Sequence, residues 1–74
     1  MTAREMFKEL GYMYFRHGTS ILYVNDSEDG AYKSVKFYCR DSTFDAVKNY
    51  NEPLRIDFAL FEAIQTQMRE LRWI

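Results

Sequence analysis

Apolar side chains near the start of the chain recur at the spacing of an amphipathic helix. They stand at positions i, i+3, i+4 and i+7, namely Ala3, Met6, Phe7 and Leu10. Thr2 and Glu5 have the spacing of a capping box, which favours a helix start, and Gly11 is the residue type that commonly closes a helix. The pattern therefore predicts a first helix that ends at Leu10.

A longer stripe of the same kind lies near the end of the chain. It consists of Phe58, Phe61, Ile64, Met68 and Leu71, and is widened by Leu60 and Ala63. Pro53 disfavours helix at the residue before it, so this helix begins later, with Asp57 as its N-cap. Arg69 and Arg72 complement the negative end of the helix dipole.

The middle of the chain has the period and the turn residues of a β-meander. Bulky residues that favour strands occupy 12–16 and 21–24, with a break at His17-Gly18-Thr19, and turn formers fill 25–30. Alternation is clearest over 32–40, which predicts the central strand. A fourth strand is expected over 43–49 with an undefined register, because its apolar residues do not share one face.

These elements predict a single α+β domain over residues 1–74. It comprises an N-terminal helix, an antiparallel β-meander of three or four strands and a C-terminal amphipathic helix packed on the sheet. The 74 residues are 47% hydrophobic and 18% aromatic, which is typical of a folded domain and not of a disordered segment. A core of this size supplies only about 3 to 5 kcal/mol of stability.

Charge and cysteine content argue against several classes of protein. The net charge is -1, so the chain lacks the overall positive field that drives nonspecific binding to nucleic acid. Cys39 is the single cysteine, which rules out an internal disulfide and a zinc site of the usual kind. The sequence has neither a signal-peptide pattern nor an apolar run of membrane-spanning length, so we expect a cytoplasmic protein without a membrane segment.

The residues that could carry chemistry have simpler structural explanations. His17, the only histidine, lies in a predicted turn, and Cys39 shares a strand face with Val35 and Phe37, where a thiol behaves as a small apolar group. The acidic loop at 25–30 resembles the first half of a calcium loop, but Lys36 stands where a bidentate glutamate is required. We therefore expect no catalytic, cofactor or metal site.

One face of the predicted sheet is the candidate for an interaction surface. If Met13, Phe15, Leu22 and Val24 join Val35, Phe37 and Cys39 in the core, the opposite face is aromatic and basic. That face consists of Tyr12, Tyr14, Arg16, Tyr23, Tyr32, Lys36, Tyr38 and Arg40. A shift of one residue in register would move these side chains to the other face.

Three interpretations of that face stay open. Tyrosine and arginine are enriched in protein interfaces, which makes a protein partner the main expectation. Weak binding of single-stranded nucleic acid is the alternative, although the overall charge argues against it. Bases would stack on the rings of Tyr14, Tyr23 and Tyr38, and Lys36 and Arg40 would contact phosphates. Tyrosine also has a high strand propensity, which explains such a face without any ligand.

The last residues, Leu71-Arg72-Trp73-Ile74, leave two large apolar side chains beyond the last regular helical turn. Such a tail either folds back to close the core or forms a docking surface. A homodimer contact is one form of the second alternative, and it would support a domain whose core is small.

Both ends of the chain resemble a family of small uncharacterised proteins encoded in phages and prophages of Gram-positive bacteria. The resemblance rests on Met-Phe-Lys-Glu-Leu-Gly-Tyr at 6–12, on Glu52-Pro53-Leu54, and on the segment from Phe61 to Trp73. The family pattern has glycine before the tryptophan, where this chain has Arg72, so the helix C-cap expected there is in question. The resemblance implies a setting, a phage or prophage protein in a bacterial cytoplasm, and no mechanism. Our first hypothesis is a noncatalytic accessory protein that contacts a host or phage protein through the Tyr-rich sheet face or the C-terminal helix.

Overall fold

A computed structural model describes residues 1–26 and 30–74. The described residues form α1 (Ala3–Glu9), β1 (Met13–His17), β2 (Ser20–Asp26), β3 (Tyr32–Tyr38), β4 (Thr43–Lys48), β5 (Glu52–Pro53) and α2 (Phe58–Glu70). The α+β prediction is confirmed, with five strands where three or four were expected. The acidic loop considered above as a calcium loop falls partly on 27–29, outside the described residues. Neither α1 nor α2 is long and apolar enough to cross a membrane.

The predicted capping box at the start of α1 is present. The hydroxyl of Thr2 accepts a hydrogen bond from the Glu5 amide, and the Glu5 carboxylate accepts one from the Thr2 amide at 2.8 Å. Those two contacts satisfy amides that an open helix end would leave unpaired. The Ala3 amide donates to Oε2 of Glu70 at 2.7 Å, so the carboxylate at the end of α2 also ties the two helices together.

The strands form one antiparallel sheet in the order β1-β2-β3-β4-β5, and β3 is its central strand as predicted. Gly18 and Thr19 form the two-residue turn between β1 and β2, with Gly18 at a φ of 53°. Glycine at the first central position, with a positive φ there alone, is typical of a type II′ turn, whose twist matches that of a hairpin. The turn therefore fixes the register His17↔Ser20 and every pair that follows it.

The fifth strand was missed because it has too few residues to show a pattern. Asn49 and Tyr50 adopt left-handed conformations with φ of 51° and 72°, which brings Glu52 opposite Lys48. Asn49 accepts a hydrogen bond from the Tyr32 amide and donates one to Glu52, so its side chain holds this turn against β3. Pro53 has no amide to donate, which suits an edge position in the sheet.

Both helices pack on one face of the sheet. The core between them consists of Phe7, Tyr12, Ile21, Tyr23, Val35, Phe37, Leu60, Ala63 and Ile64. Trp73 packs against this cluster, its ring 6.1 Å from that of Phe37, so the C-terminal tail closes the core at Trp73 while Ile74 stays exposed.

The buried stripe of α2 is rotated relative to the prediction. It comprises Leu60, Ala63, Ile64 and Gln67, whereas Phe58 and Phe61 are exposed. The predicted stripe is confirmed for five residues that pack in or against the core, Leu60, Ala63, Ile64, Met68 and Leu71. It is wrong for Phe58 and Phe61, because it counted only apolar residues and omitted Gln67, whose amide is buried and hydrogen-bonded. The expected N-cap is confirmed, since Asp57 accepts a hydrogen bond of 2.8 Å from the Leu60 amide.

Both helices end in the same hydrogen-bonded motif. In α1 the Gly11 amide donates to the Lys8 carbonyl and the Tyr12 amide to that of Phe7, with Gly11 at a φ of 92°. In α2 the Arg72 amide donates to the Arg69 carbonyl and the Trp73 amide to that of Met68. This is the Schellman pattern, and Arg72 takes the left-handed position at a φ of 62° that glycine usually occupies. The C-cap therefore forms despite the missing glycine.

Candidate protein interface

The faces predicted for β1 and β2 are reversed in the structure. Tyr23 pairs with Val35 across the sheet and is 1% exposed, so it belongs to the covered face together with the β3 core residues. Leu22 and Val24 consequently lie on the opposite face. The prediction failed because both faces of these strands carry large side chains, so alternation alone could not tell which face the helices cover.

Contacts with both helices keep Tyr23 in the core, and these contacts could not be predicted from the sequence pattern. Its ring stacks on Phe7 with centroids 3.8 Å apart, and its hydroxyl donates a hydrogen bond of 2.6 Å to Oε1 of Gln67. Burial raises the pKa of the Tyr23 hydroxyl well above its usual value, and the nearby Glu70 carboxylate raises it further. Tyr23 therefore anchors the sheet to both helices and cannot contact a partner.

The other residues predicted for the interaction face are divided between several places. Tyr12 precedes β1 and is buried, with its pKa raised by burial. Tyr14 is half-buried on the covered face, Arg16 is exposed on the same side of β1, and Arg40 lies in the turn after β3. Only Tyr32, Lys36 and Tyr38 of the predicted set lie on the uncovered face.

We define the open face as the side of the sheet away from the helices. Strand register places on it Met13, Phe15, His17, Ser20, Leu22, Val24, Asp26, Tyr32, Ser34, Lys36, Tyr38, Thr43, Asp45, Val47 and Pro53. Met13 is 64% exposed and Phe15 44% exposed, and they lie directly opposite Val24 and Leu22. These four side chains form an apolar patch, and Ser34 separates it from Val47 in the row Met13, Val24, Ser34 and Val47.

Polar groups occupy the β3 and β4 side of the open face. Lys36 lies opposite Asp45, and its ammonium is 5.1 Å from the centre of the Tyr38 ring. A hydrogen bond to the Asp45 carboxylate raises the pKa of the Tyr38 hydroxyl. The open face thus combines an apolar patch on β1 and β2 with a polar group of three connected side chains beside it.

Two other surfaces are relevant to binding. Phe58 and Phe61 stack on the outer side of α2 with ring centroids 6.4 Å apart, forming a smaller apolar patch. On the covered side of β1, a groove of about 300 Å³ between this strand and α1 is lined by Arg4, Lys8, Tyr12, Met13 and Tyr14. The Arg4 guanidinium lies 4.2 Å above the Tyr14 ring, in a cation–π contact.

The two residues that could carry chemistry, His17 and Cys39, lie outside both cavities. His17 is exposed at the end of β1, and Cys39 is half-buried in the turn after β3, where it packs against the core. Neither residue lines the groove beside α1 or the smaller cavity of about 130 Å³ between Leu10 and Leu60. Within residues 1–26 and 30–74, no three His, Cys, Asp or Glu side chains are grouped so that they could hold a metal ion.

Comparisons with protein-family models, with curated proteins and with solved structures gave no match for this chain.

Proposed function

We propose that this protein is a noncatalytic binding module that contacts another protein through the open face. The observation that carries the proposal is the apolar patch of Met13, Phe15, Leu22 and Val24 on a side of the sheet that neither helix covers. Exposed apolar side chains clustered beside polar groups are typical of protein interaction sites, where an apolar centre is dehydrated and a polar rim gives specificity. Lys36, Tyr38 and Asp45 are suited to the rim.

The exposed pair on α2 is the competing surface for the same function. Phe58 and Phe61 form only a two-ring patch on a convex helix, whereas the open face presents apolar side chains from neighbouring strands on a broad surface. A broader surface buries more area on binding, and we therefore assign the contact to the open face.

The nucleic-acid alternative has weaker support. It required Tyr14, Tyr23 and Tyr38 on one face together with Lys36 and Arg40, yet Tyr23 is buried and Tyr14 lies on the covered side. The carboxylate of Asp45, which raises the pKa of the Tyr38 hydroxyl, would also repel phosphates at that ring. Binding to a single-stranded oligonucleotide at low salt, weakening as salt rises, would revive this alternative.

The setting implied by the resemblance, a phage or prophage protein acting in a bacterial cytoplasm, is part of the proposal. In that setting the partner is a host or phage protein. The proposal does not depend on a cofactor or on a second copy of the chain.

The test is affinity capture with matched surface variants. The full chain is used as bait in a lysate of the cells that make it, next to a Leu22→Thr/Val24→Thr variant and a Phe58→Gln/Phe61→Gln control. Threonine keeps the strand propensity while removing apolar area, so the first variant should fold, as checked by circular dichroism. We expect it to lose the partner that wild type and control retain; loss in the control alone would assign the contact to α2.

A further inference from the structure

β1 is an edge strand, and its exposed side chains differ from those that usually protect such an edge. In the described part of the chain, β1 pairs with β2 on one side and with no strand on the other. Edge strands are normally shielded by proline, by lysine or by short length. β1 has five residues with neither proline nor lysine. Its one charged side chain, Arg16, is exposed on the covered side, whereas Met13 and Phe15 are exposed on the open face. Its outer side is therefore available for pairing with another strand.

The hairpin turn determines which backbone groups face outward. In a two-residue hairpin the residues that flank the turn, here His17 and Ser20, form a hydrogen-bonded pair, and such pairs alternate along the ladder. The backbone amides and carbonyls of Phe15 and Met13, like those of His17, consequently form hydrogen bonds with β2. The amides and carbonyls of Tyr14 and Arg16 point away from the sheet, where an added strand could bond to them.

The side chains next to this edge define the chemistry of such a strand. On the covered side it would meet the groove with Arg4 and Lys8, one helical turn apart on α1, and the exposed Arg16. The described residues that line the groove include no carboxylate. On the other side it would lie beside Met13 and Phe15. The edge therefore suits an extended segment that has acidic side chains on one side and apolar ones on the other.

A second copy of the chain fits this edge poorly. Pairing of β1 with itself around Phe15 sets Arg16 of each copy opposite Tyr14 of the other, because Tyr14 and Arg16 are the outward-facing pair. Each Arg16 would then enter a groove that already holds Arg4 and Lys8. Repulsion between these like charges opposes self-pairing and favours an acidic partner.

We propose that the outer edge of β1 binds an extended acidic segment of a partner protein as an additional strand. Its carboxylates lie in the groove beside Arg4 and Lys8, and its apolar side chains extend the patch of Met13 and Phe15. Main-chain hydrogen bonds to Tyr14 and Arg16 supply affinity, and the alternating side chains supply specificity. This inference rests on the proposed protein-binding function and names the mode of contact.

The test uses a blocked heptapeptide of alternating valine and glutamate, with a lysine-for-glutamate peptide as its control. Both are titrated into the ¹⁵N-labelled full chain and followed by amide chemical shifts and hydrogen exchange. We expect the glutamate peptide to shift and protect the amides of Tyr14 and Arg16, while the Phe15 amide, already bonded to β2, changes less. The lysine peptide should bind at least about tenfold more weakly, and salt should weaken the binding of the glutamate peptide.

An Arg4→Gln/Lys8→Gln variant removes the charges of Arg4 and Lys8 and the cation–π contact of Arg4 with Tyr14, while every residue of β1 is kept. It should bind the glutamate peptide about tenfold more weakly. Equal binding of the two peptides, or no change at the β1 amides, would overturn the inference. So would β1 shifts that depend on protein concentration without peptide, since these would indicate a second copy. If the Leu22→Thr/Val24→Thr variant still loses its partner in such a case, the proposed function stands and only the edge inference fails.

Discussion

The hydroxyl of Tyr23 and the side-chain amide of Gln67 form a buried hydrogen bond of 2.6 Å between β2 and α2. Tyr23 is the largest of the fully buried side chains, and Gln67 is buried beside it. The pair holds Tyr23 on the side of β2 that the helices cover. Because side chains alternate along a strand, it also places Leu22 and Val24 on the open face.

Removing the Tyr23 hydroxyl should destabilise the domain. The Tyr23→Phe variant leaves Oε1 of Gln67 buried without its donor, which costs about 1 to 3 kcal/mol of unfolding free energy. Urea denaturation measures this change. The double variant Tyr23→Phe/Gln67→Leu removes both polar partners and should recover part of the loss, and a single variant as stable as wild type would contradict the described contact.

Raising the pH into the alkaline range should lower the unfolding free energy of the wild-type domain more than that of a Tyr23→Phe variant. Burial raises the pKa of the Tyr23 hydroxyl in the folded state, whereas the unfolded chain titrates near the ordinary value of about 10. Above that pH the unfolded state releases its proton while the folded state retains it, so the unfolding free energy falls as pH rises. Denaturant midpoints between pH 8 and 11 should decline less steeply in Tyr23→Phe, although buried Tyr12 keeps part of the effect.

Substitutions at the C-terminal ends of the two helices should change the unfolding free energy in opposite directions. Arg72 has a φ of 62°, and relief of the left-handed strain by Arg72→Gly should stabilise the domain by about 1 kcal/mol. Gly11→Ala should destabilise it by a similar or larger amount, because Gly11 has a φ of 92° and a Cβ there would lie 3.2 Å from Nδ2 of Asn25. The midpoint of thermal unfolding measures both changes. A shift of the two midpoints in the same direction would be inconsistent with the shared Schellman geometry.

Local signals predicted most of the fold. The capping box at Thr2 and the N-cap at Asp57 are contacts within one turn, so they can be recognised in the sequence without knowing what packs against the helix. Alternation and turn residues likewise predict the meander, with the strand that begins at Tyr32 at its centre. β5 was missed because it has only two residues and because the turn of Asn49 and Tyr50 before it lacks glycine.

The candidate site was harder to predict because it depends on long-range contacts. Met13, Tyr14 and Phe15 are consecutive bulky residues, so apolar and polar side chains do not alternate along β1. The choice between its faces depends on helices distant in the sequence. Tyrosine adds to the ambiguity, since its ring can be buried when its hydroxyl finds a partner. One available signal was the spacing of Leu60, Ala63, Ile64 and Gln67, which predicts the buried face of α2 once Gln67 is accepted as a core residue.

Site-specific photo-cross-linking tests the central claim, that the open face is the surface that contacts a partner protein. A photoreactive phenylalanine analogue replaces Leu22 on the open face or, as the control, Phe58 on α2, and each chain is irradiated in the cells that make it. We expect position 22 to yield a discrete adduct with one protein and position 58 to yield none. An adduct at position 58 with none at position 22 would contradict the account.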